Sequence, residues 1–227
     1  MKAMILAAGL GSRMRPLTDS TPKPLLKVGG IPLIVWHLEK LAHMGITDII
    51  INMAHLGYQL PETLGDGSDW GVNIQYSDEQ EEGGLESAGG IVKALPILTN
   101  DNLGDEPFLV VNGDVFTDYD FQDNRHLTDG VLAHLVLVPN PEHNPEGDFT
   151  LDGNLVVDNK QYTFSGMGYY SPKLFEGVAY GKSALAPLLR AAMKEGKVTG
   201  ELYEGKWLDI GTPERLERLN AELMNRY

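Results

Sequence analysis

Residues 6–30, "LAAGLGSRMRPLTDSTPKPLLKVGG", decide how the rest of the chain is read. They overlap the end of a short apolar run, residues 2–8, that reads as a buried strand. Between that strand and Ile31 lie about twenty residues with little helical or strand period, and loops of that length in compact domains are functional or disordered. Leu17, Leu25, Leu26 and Val28 are spread through the segment, which argues against disorder. Gly9 and Gly11 behind a strand would let backbone N–H groups approach an oligophosphate, with Arg13 and Lys23 supplying charge to its outer oxygens. For the two glycines alone, an ordinary tight turn with solvated cations is the stronger reading. A Walker loop is excluded, because Met14 stands five residues after Gly9 where that loop needs its second glycine. The dinucleotide fingerprint fails at the same residue, and no acidic residue closes a second strand about twenty positions on.

Composition narrows the ligand. The 227 residues are 42% apolar and 8% aromatic, enough for one domain with a substantial core, although two closely joined lobes fit as well. The formal charge is −14, yet residues 1–27 carry Lys2, Arg13, Arg15, Lys23 and Lys27 against Asp19 alone. A cationic island in an acidic surface suits a small, highly charged anion and argues against long nucleic acid or anionic lipid. There is no cysteine, which excludes disulfides, thiolate metal sites and cysteine nucleophiles and fits a cytoplasmic protein. The start "MKAMILAAGL" looks superficially like an export signal, but its apolar run is short and the cationic "SRMR" behind it is unfavourable. "VLAHLVLV", residues 131–138, is far too short to span a membrane.

Working outward, strands and helices take turns. "IPLIVWHLEKLAHMG" has Ile34, Val35, Leu38, Leu41 and Ala42 at helical spacing before Gly45. "TDIIINM" is a strand, a short helix follows Gly57, and "VNIQYS" is the next strand. A helix is expected over residues 87–98, and "PFLVVN" is a strand ending on Asn112. This order predicts an α/β fold, a three-layer α/β/α core with a mainly parallel sheet and ligands at the carboxyl ends of its strands. In the second half, "VLAHLVLV", "FTLDGNLVV" with its Asp-Gly turn, and "YTFSGMGYYS" read as strands added antiparallel to the same sheet. A helix over residues 183–194 follows, and the last helix has Thr212 as N-cap and Pro213 at its first position. No repeats are visible.

"LAAGLGSRMRPLT" followed by "TPKPLLKVGG" resembles the two-part signature of sugar-1-phosphate nucleotidylyltransferases. The resemblance continues through "LESAGGI" (85–91), "VVNGDVF" (110–116), "TFSGMGYY" (163–170) and "GKWLDIGTPERL" (205–216), and so covers almost the whole chain. It implies a Rossmann-like nucleotide-diphospho-sugar transferase core over residues 1–227, with a phosphate-binding loop at 9–30 and a sugar-binding portion at roughly 131–180. Within the family, the short length together with "NPEGDFTLD", "YTFSGMGYYSP" and "WLDIGTPERL" is most similar to the uridylyltransferases of N-acetylmuramate 1-phosphate, which serve cell-wall recycling. The substrates implied are UTP and that sugar 1-phosphate, with GTP and mannose 1-phosphate, or another hexose 1-phosphate, as the alternative.

In such a reaction a sugar-phosphate oxygen attacks the α-phosphorus of a nucleoside triphosphate in line and pyrophosphate leaves. The attacking oxygen is already anionic, so the site must chiefly align the groups and neutralise charge. By resemblance, Arg13 serves the β- and γ-phosphates and Lys23 the attacking and α-phosphates, as the catalytic residues, while Arg15 and Lys27 read as solvated cations. Mg2+ is the implied cofactor, held by Asp114 and Asp209; each aspartate alone would read as a turn or helix-start residue. Asp118 and Asp120 read as solvated loop. For the nucleotide, the family pattern points to backbone around Leu6, Ala7 and Ala8, then Gly9 and Gly11, Asn112, and Glu79 or Gln80 in "DEQEEGG". Gly89 would admit base or ribose closely, although glycine pairs also mark plain helix starts. "LESAGG" departs from the commoner "LETGGG" at Ser87 and Ala88.

For the sugar, Asp148 and Gly166 are the candidates. The Glu-Lys-Pro segment of many relatives is absent from "VVDNKQY", and its acidic contact is expected at Asp158 or Asn159 if it persists. His55 reads as a surface or capping histidine at least as readily as a pocket residue. A non-catalytic nucleotide-sugar sensor is the alternative of a different class, and Arg13, Lys23, Asp114 and Asp209 together speak against it. A glycosyltransferase would carry an Asp-x-Asp metal motif, which "NGDVF" lacks. Oligomeric state is open.

Overall fold

A computed structural model describes residues 1–100, 104, 106–123 and 125–225. Strand β1 (Ala3–Leu6) leads into the long loop, which is ordered as three single 3-10 turns, Ser12–Met14, Leu17–Asp19 and Lys23–Leu25. A short ribbon of β2 (Lys27–Val28) and β3 (Ile31–Pro32) closes it. Then come α1 (Leu33–His43), β4 (Asp48–Met53), α2 (Gln59–Leu64), β5 (Asn73–Asp78), α3 (Glu86–Thr99) and β6 (Phe108–Asn112). The second half holds β7 (Val115–Thr117), β8 (Ala133–Val138), β9 (Phe149–Asp152), β10 (Leu155–Tyr170), α4 (Leu185–Lys194), β11 (Val198–Leu202), β12 (Trp207–Asp209) and α5 (Pro213–Met224).

Main-sheet order is β11-β8-β10-β6-β1-β4-β5, with β9 paired to β10. β5, β4, β1 and β6 run parallel, and β11 is parallel to β8. β10 is antiparallel to both β6 and β8, which joins the two parallel groups. The central strands read as unbroken apolar runs because both their faces are covered. Ile5, Ile49, Ile51, Leu109 and Val111 pack on the α1 side with Ile34, Leu38 and Leu41, while Met4, Ile50, Phe108 and Val110 pack against α3 and α4 through Ile91, Leu98 and Leu189.

A third cluster explains why the glycine- and proline-rich loop is ordered. Met14 and Val28 are fully buried against Leu33 of α1, Ile210, and Leu216 and Leu219 of α5. Thr212 caps α5, its Oγ1 accepting from the Arg215 N–H at 3.4 Å, as its sequence predicts.

"FTLDGNLVV" folds as a hairpin of β9 and the start of β10, and its "LVV" arm and "YTFSGMGYYS" do not form separate strands. β10 runs unbroken for 16 residues from the hairpin turn at Gly153, and its register shifts against β8 between Phe164 and Met167. Ser165 Oγ donates to the Val136 carbonyl at 2.6 Å inside that bulge. The three-residue β7–β12 ribbon has no local sequence signature and was not expected; it pairs Val115 with Asp209.

Candidate functional site

Three connected clefts open at the carboxyl ends of β1, β4 and β6. The largest, about 430 Å³, is walled by residues 6–11, Asn52, Glu79, residues 83–87, residues 112–114 and Lys182. A second, about 260 Å³, is bounded by residues 10–14, Lys23 and Gly211. A third, about 240 Å³, lies along β10 between His143, Asn144, Asp148, residues 163–166, Trp207 and Asp209. Gly11 and Lys23 are common to the first two clefts, and Asn112 and Asp114 to the first and third.

The wall of the large cleft is set by β1 and β4. Asn52, at the end of β4, accepts from the Ala7 N–H at 2.6 Å and donates its amide to Glu79 Oε1 at 3.2 Å. The other Glu79 oxygen accepts from the Leu85 N–H at 3.2 Å. Glu79 is only 1% exposed, and burial pushes its carboxyl above the ordinary carboxylate range. Gln80 instead lies at the surface, its amide bonded to Asp78 at 3.0 Å, so of the two it is Glu79 that faces the cleft.

The glycines have different reasons. A Cβ on Gly90 would stand 2.6 Å from Glu79 Oε1, so that glycine backs the buried pair. Gly89 does not line the cleft: its missing side chain makes room for the Gly181 carbonyl, and its N–H donates to Ser183 O at 3.0 Å. Gly11 has φ +63° and abuts Thr18, whose hydroxyl donates to its carbonyl at 2.6 Å. At Gly9 a Cβ would meet open space, so the protein itself does not demand a glycine there.

Arg13 is exposed on the second cleft, and no protein ion pair engages it among the described residues. Arg15 faces away to an exposed pair with Asp19 at 3.4 Å, and Lys27 lines none of the three clefts. Lys23 reaches Asp114 Oδ2 at 2.9 Å.

Asp114 follows β6, and the β7–β12 ribbon brings Asp209 beside it, with the Ile210 N–H donating to the Asp114 carbonyl at 2.7 Å. Both carboxylates face the third cleft. Asp209 is gripped from two sides, by His143 Nε2 at 2.8 Å and by the Arg215 guanidinium at 2.9 Å. Among the described residues no cluster of three or more metal-ligating side chains exists. Two carboxylates beside a cleft lined by Arg13 and Lys23 suit a hard cation that completes its shell with ligand oxygens and water.

In the third cleft, Gly166 has φ +79° and a Cβ there would meet the Asn112 amide at 2.5 Å, so the bulge is where β10 lets Asn112 lie between two clefts. Asp148 accepts from the Phe164 N–H at 2.8 Å and from Asn144 at 3.3 Å, which ties the 140s loop to β10. Asp158 and Asn159 lie away from the cleft: Asp158 pairs with Arg190 at 3.4 Å and Asn159 is exposed. His55 supports the loop by bonding the Thr18 carbonyl at 2.9 Å and lines none of the clefts. Asn52, His143, Lys182, Trp207 and Arg215 were not singled out from the sequence, and only the position of Trp207 and Arg215 within "GKWLDIGTPERL" could have pointed to two of them.

A cleft of about 430 Å³ with five glycines in its lining, a cationic loop and two carboxylates meet at the carboxyl edge of the parallel strands of an α/β core. The chain belongs to the nucleotidyl transferase family, which matches residues 2–226. It is 54% identical over 231 aligned positions to the N-acetylmuramate α-1-phosphate uridylyltransferase of Neisseria meningitidis serogroup B, covering 97% of each chain. The mannose-1-phosphate guanyltransferase beta-A of Xenopus laevis is 30% identical, and this chain spans 62% of its length. Among solved structures, a Bacillus anthracis protein named for glucose-1-phosphate thymidylyltransferase activity, in complex with a sucrose, superposes with a TM-score of 0.80 at 26% identity, covering 98% and 94% of the two chains. The CTP:phosphocholine cytidylyltransferase of Streptococcus pneumoniae shares the fold, with a TM-score of 0.71 at 23% identity and 98% of both chains covered. No helix among the described residues is long and apolar enough to cross a membrane.

Proposed function

We propose that this chain transfers the uridylyl group of UTP to N-acetylmuramate 1-phosphate, forming UDP-N-acetylmuramate and pyrophosphate in the cytoplasm. The observation that carries the reading is the near-full-length likeness to the Neisseria uridylyltransferase, on a chain whose Lys23 and Asp114 meet where the clefts join. The nucleoside occupies the large cleft, with the main chain of Leu6, Ala7 and Ala8 along one side and Glu79 at the base. The open space at Gly9 and the turn at Gly11 admit the phosphates, and the exposed Arg13 neutralises the outer ones. The sugar lies along β10 near Asp148 and Gly166.

Lys23 sits at the junction where the attacking sugar-phosphate oxygen and the α-phosphorus must meet. As the new P–O bond forms, the bond to the β-phosphate breaks and its electron pair leaves with pyrophosphate. No proton is removed, so positioning and charge neutralisation are the protein's task. Mg2+ held by Asp114 and Asp209 would supply further positive charge at the phosphates.

The test is pyrophosphate release from UTP, GTP, dTTP and CTP, each with N-acetylmuramate, N-acetylglucosamine, glucose and mannose 1-phosphates. Release confined to UTP with the N-acetylmuramate ester is expected. Release with GTP and mannose 1-phosphate instead would keep the class and overturn the substrates, and nucleotide binding with no release in any pair would indicate a sensor.

A further inference from the structure

Each carboxylate at the seam already holds a cation of this chain: Lys23 on Asp114 and Arg215 on Asp209. The Lys23 contact belongs to the site described above. Arg215 has no role there, and its placement is unusual. It lies in the first turn of α5, yet its side chain folds back over the helix N-terminus, with Nε 3.3 Å from Thr212 Oγ1. A cation at the positive end of a helix is disfavoured unless a carboxylate compensates. The compensation comes from Asp209, whose Oδ2 and main-chain carbonyl accept from the same guanidinium nitrogen at 2.9 and 3.3 Å. The chain also makes room for this pose, because a Cβ on Gly211 would stand 2.6 Å from Arg215 NH2. Gly211, against which the guanidinium packs, lines the cleft that holds Arg13.

We infer that Arg215 is a positioning residue that occupies Asp209 until a divalent cation takes its place. This rests on the assignment of Asp209 to the metal under the proposed function. With Lys23 and Arg215 seated, each carboxylate faces one cation, and the His143 ring holds the other oxygen of Asp209 at 2.8 Å. A divalent cation competes with Arg215 for Asp209, and the displaced guanidinium is left beside the phosphate cleft, where it adds charge opposite the triphosphate. Competition has a sign that a structural role lacks: removing the guanidinium strengthens metal binding, whereas loss of a merely structural contact would weaken it.

The experiment is Mn2+ binding to the full chain without nucleotide, followed by electron paramagnetic resonance. Arg215→Gln should lower the Mn2+ Kd about fivefold, the effect of losing one partly exposed ion pair, while Arg215→Lys stays near the parent value. Gly211→Ala retains Arg215 but crowds its guanidinium off Asp209, and should tighten Mn2+ in the same direction; it carries the test if Arg215→Gln does not fold. An unchanged or raised Kd in a folded variant overturns the inference. Mn2+ binding that Asp209→Asn leaves intact would remove the metal assignment itself, a failure distinct from Asp209-dependent binding that ignores Arg215.

Discussion

The large cleft and the cleft along β10 share Asn112 and Asp114 but are made in different ways. The first is built from contiguous stretches at the ends of parallel strands, with Gly9, Gly11, Gly83, Gly84 and Gly113 among its lining and one buried carboxylate, Glu79, in its wall. The second is assembled from the 140s loop, the β10 bulge and β12, and held by side-chain bonds such as Asn144 to Asp148 and Thr163 to Asn140, the latter at 2.8 Å. A wall of strand ends and glycines follows from the fold, whereas a wall held by side-chain hydrogen bonds changes with each substitution in it; on the proposed function the first holds the nucleotide and the second the sugar. Nucleotide handling should therefore resist substitutions along β10 that disturb the sugar.

The sharpest test lies at the seam, where the comparison predicts no distinction. Asp114→Asn and Asp209→Asn should each lower kcat by about 10²–10³-fold with the fold intact by circular dichroism, the loss expected from the proposed metal role at the reacting phosphates. Near-normal turnover in both would remove them from the metal site. Next, Arg13→Ala should reduce kcat/KM for UTP by about tenfold or more, the loss of charge-assisted hydrogen bonds to phosphate. Arg15→Ala, which breaks only an exposed pair with Asp19, should stay within about threefold. Equal effects would undo the distinction drawn within the loop. Gly166→Ala is smaller and one-sided. It forces a side chain into φ +79° against Asn112 and should raise KM for the sugar 1-phosphate about tenfold, with KM for UTP little changed. A matched rise in both constants would show that Asn112 transmits the strain across the seam and that the two clefts are one.

The same contrast decided what the sequence could show. Unbroken apolar runs in β1, β4 and β6 and helical spacing in α1 are local signals, so the layered fold was legible from Ile5, Ile49–Ile51 and Leu38. Arg13, Lys23, Asp114 and Asp209 stood out because each lies in a compact motif. The β7–β12 ribbon was not legible, since three-residue strands far apart in sequence carry no period, and with it went the grip of Arg215 and His143 on Asp209. Asn52 was invisible because its role depends on the register of β4 against β1, which puts its amide beside Ala7. Gly89 and Gly90 read alike as a pair, yet one fits the Gly181 carbonyl and the other the Glu79 carboxyl. Long-range packing separates them, not local chemistry.

The smallest effect on turnover is expected at His37, a buried residue of α1 beside the main chain of Val115, the residue after Asp114. Burial is the main cause that lowers its pKa from 6.5 to about 4, and its Nε2 has no hydrogen-bond partner among the described residues. The unfolded chain therefore takes up a proton on this ring before the folded one does. Its contribution to stability is complete above pH 6.5 and is lost as pH falls towards 4, by about 3 kcal/mol at about 1.4 kcal/mol per unit. Urea unfolding at pH 7, 5.5 and 4.5 should show a steeper decline in the parent chain than in His37→Leu, in which an apolar side chain replaces the unpartnered ring. Because His37 supports the seam rather than either cleft, the acid-sensitive part of its effect should lower turnover without favouring one substrate. A pH-dependent KM change confined to the sugar, and abolished by His37→Leu, would place His37 with the cleft along β10 and break the division between the two walls.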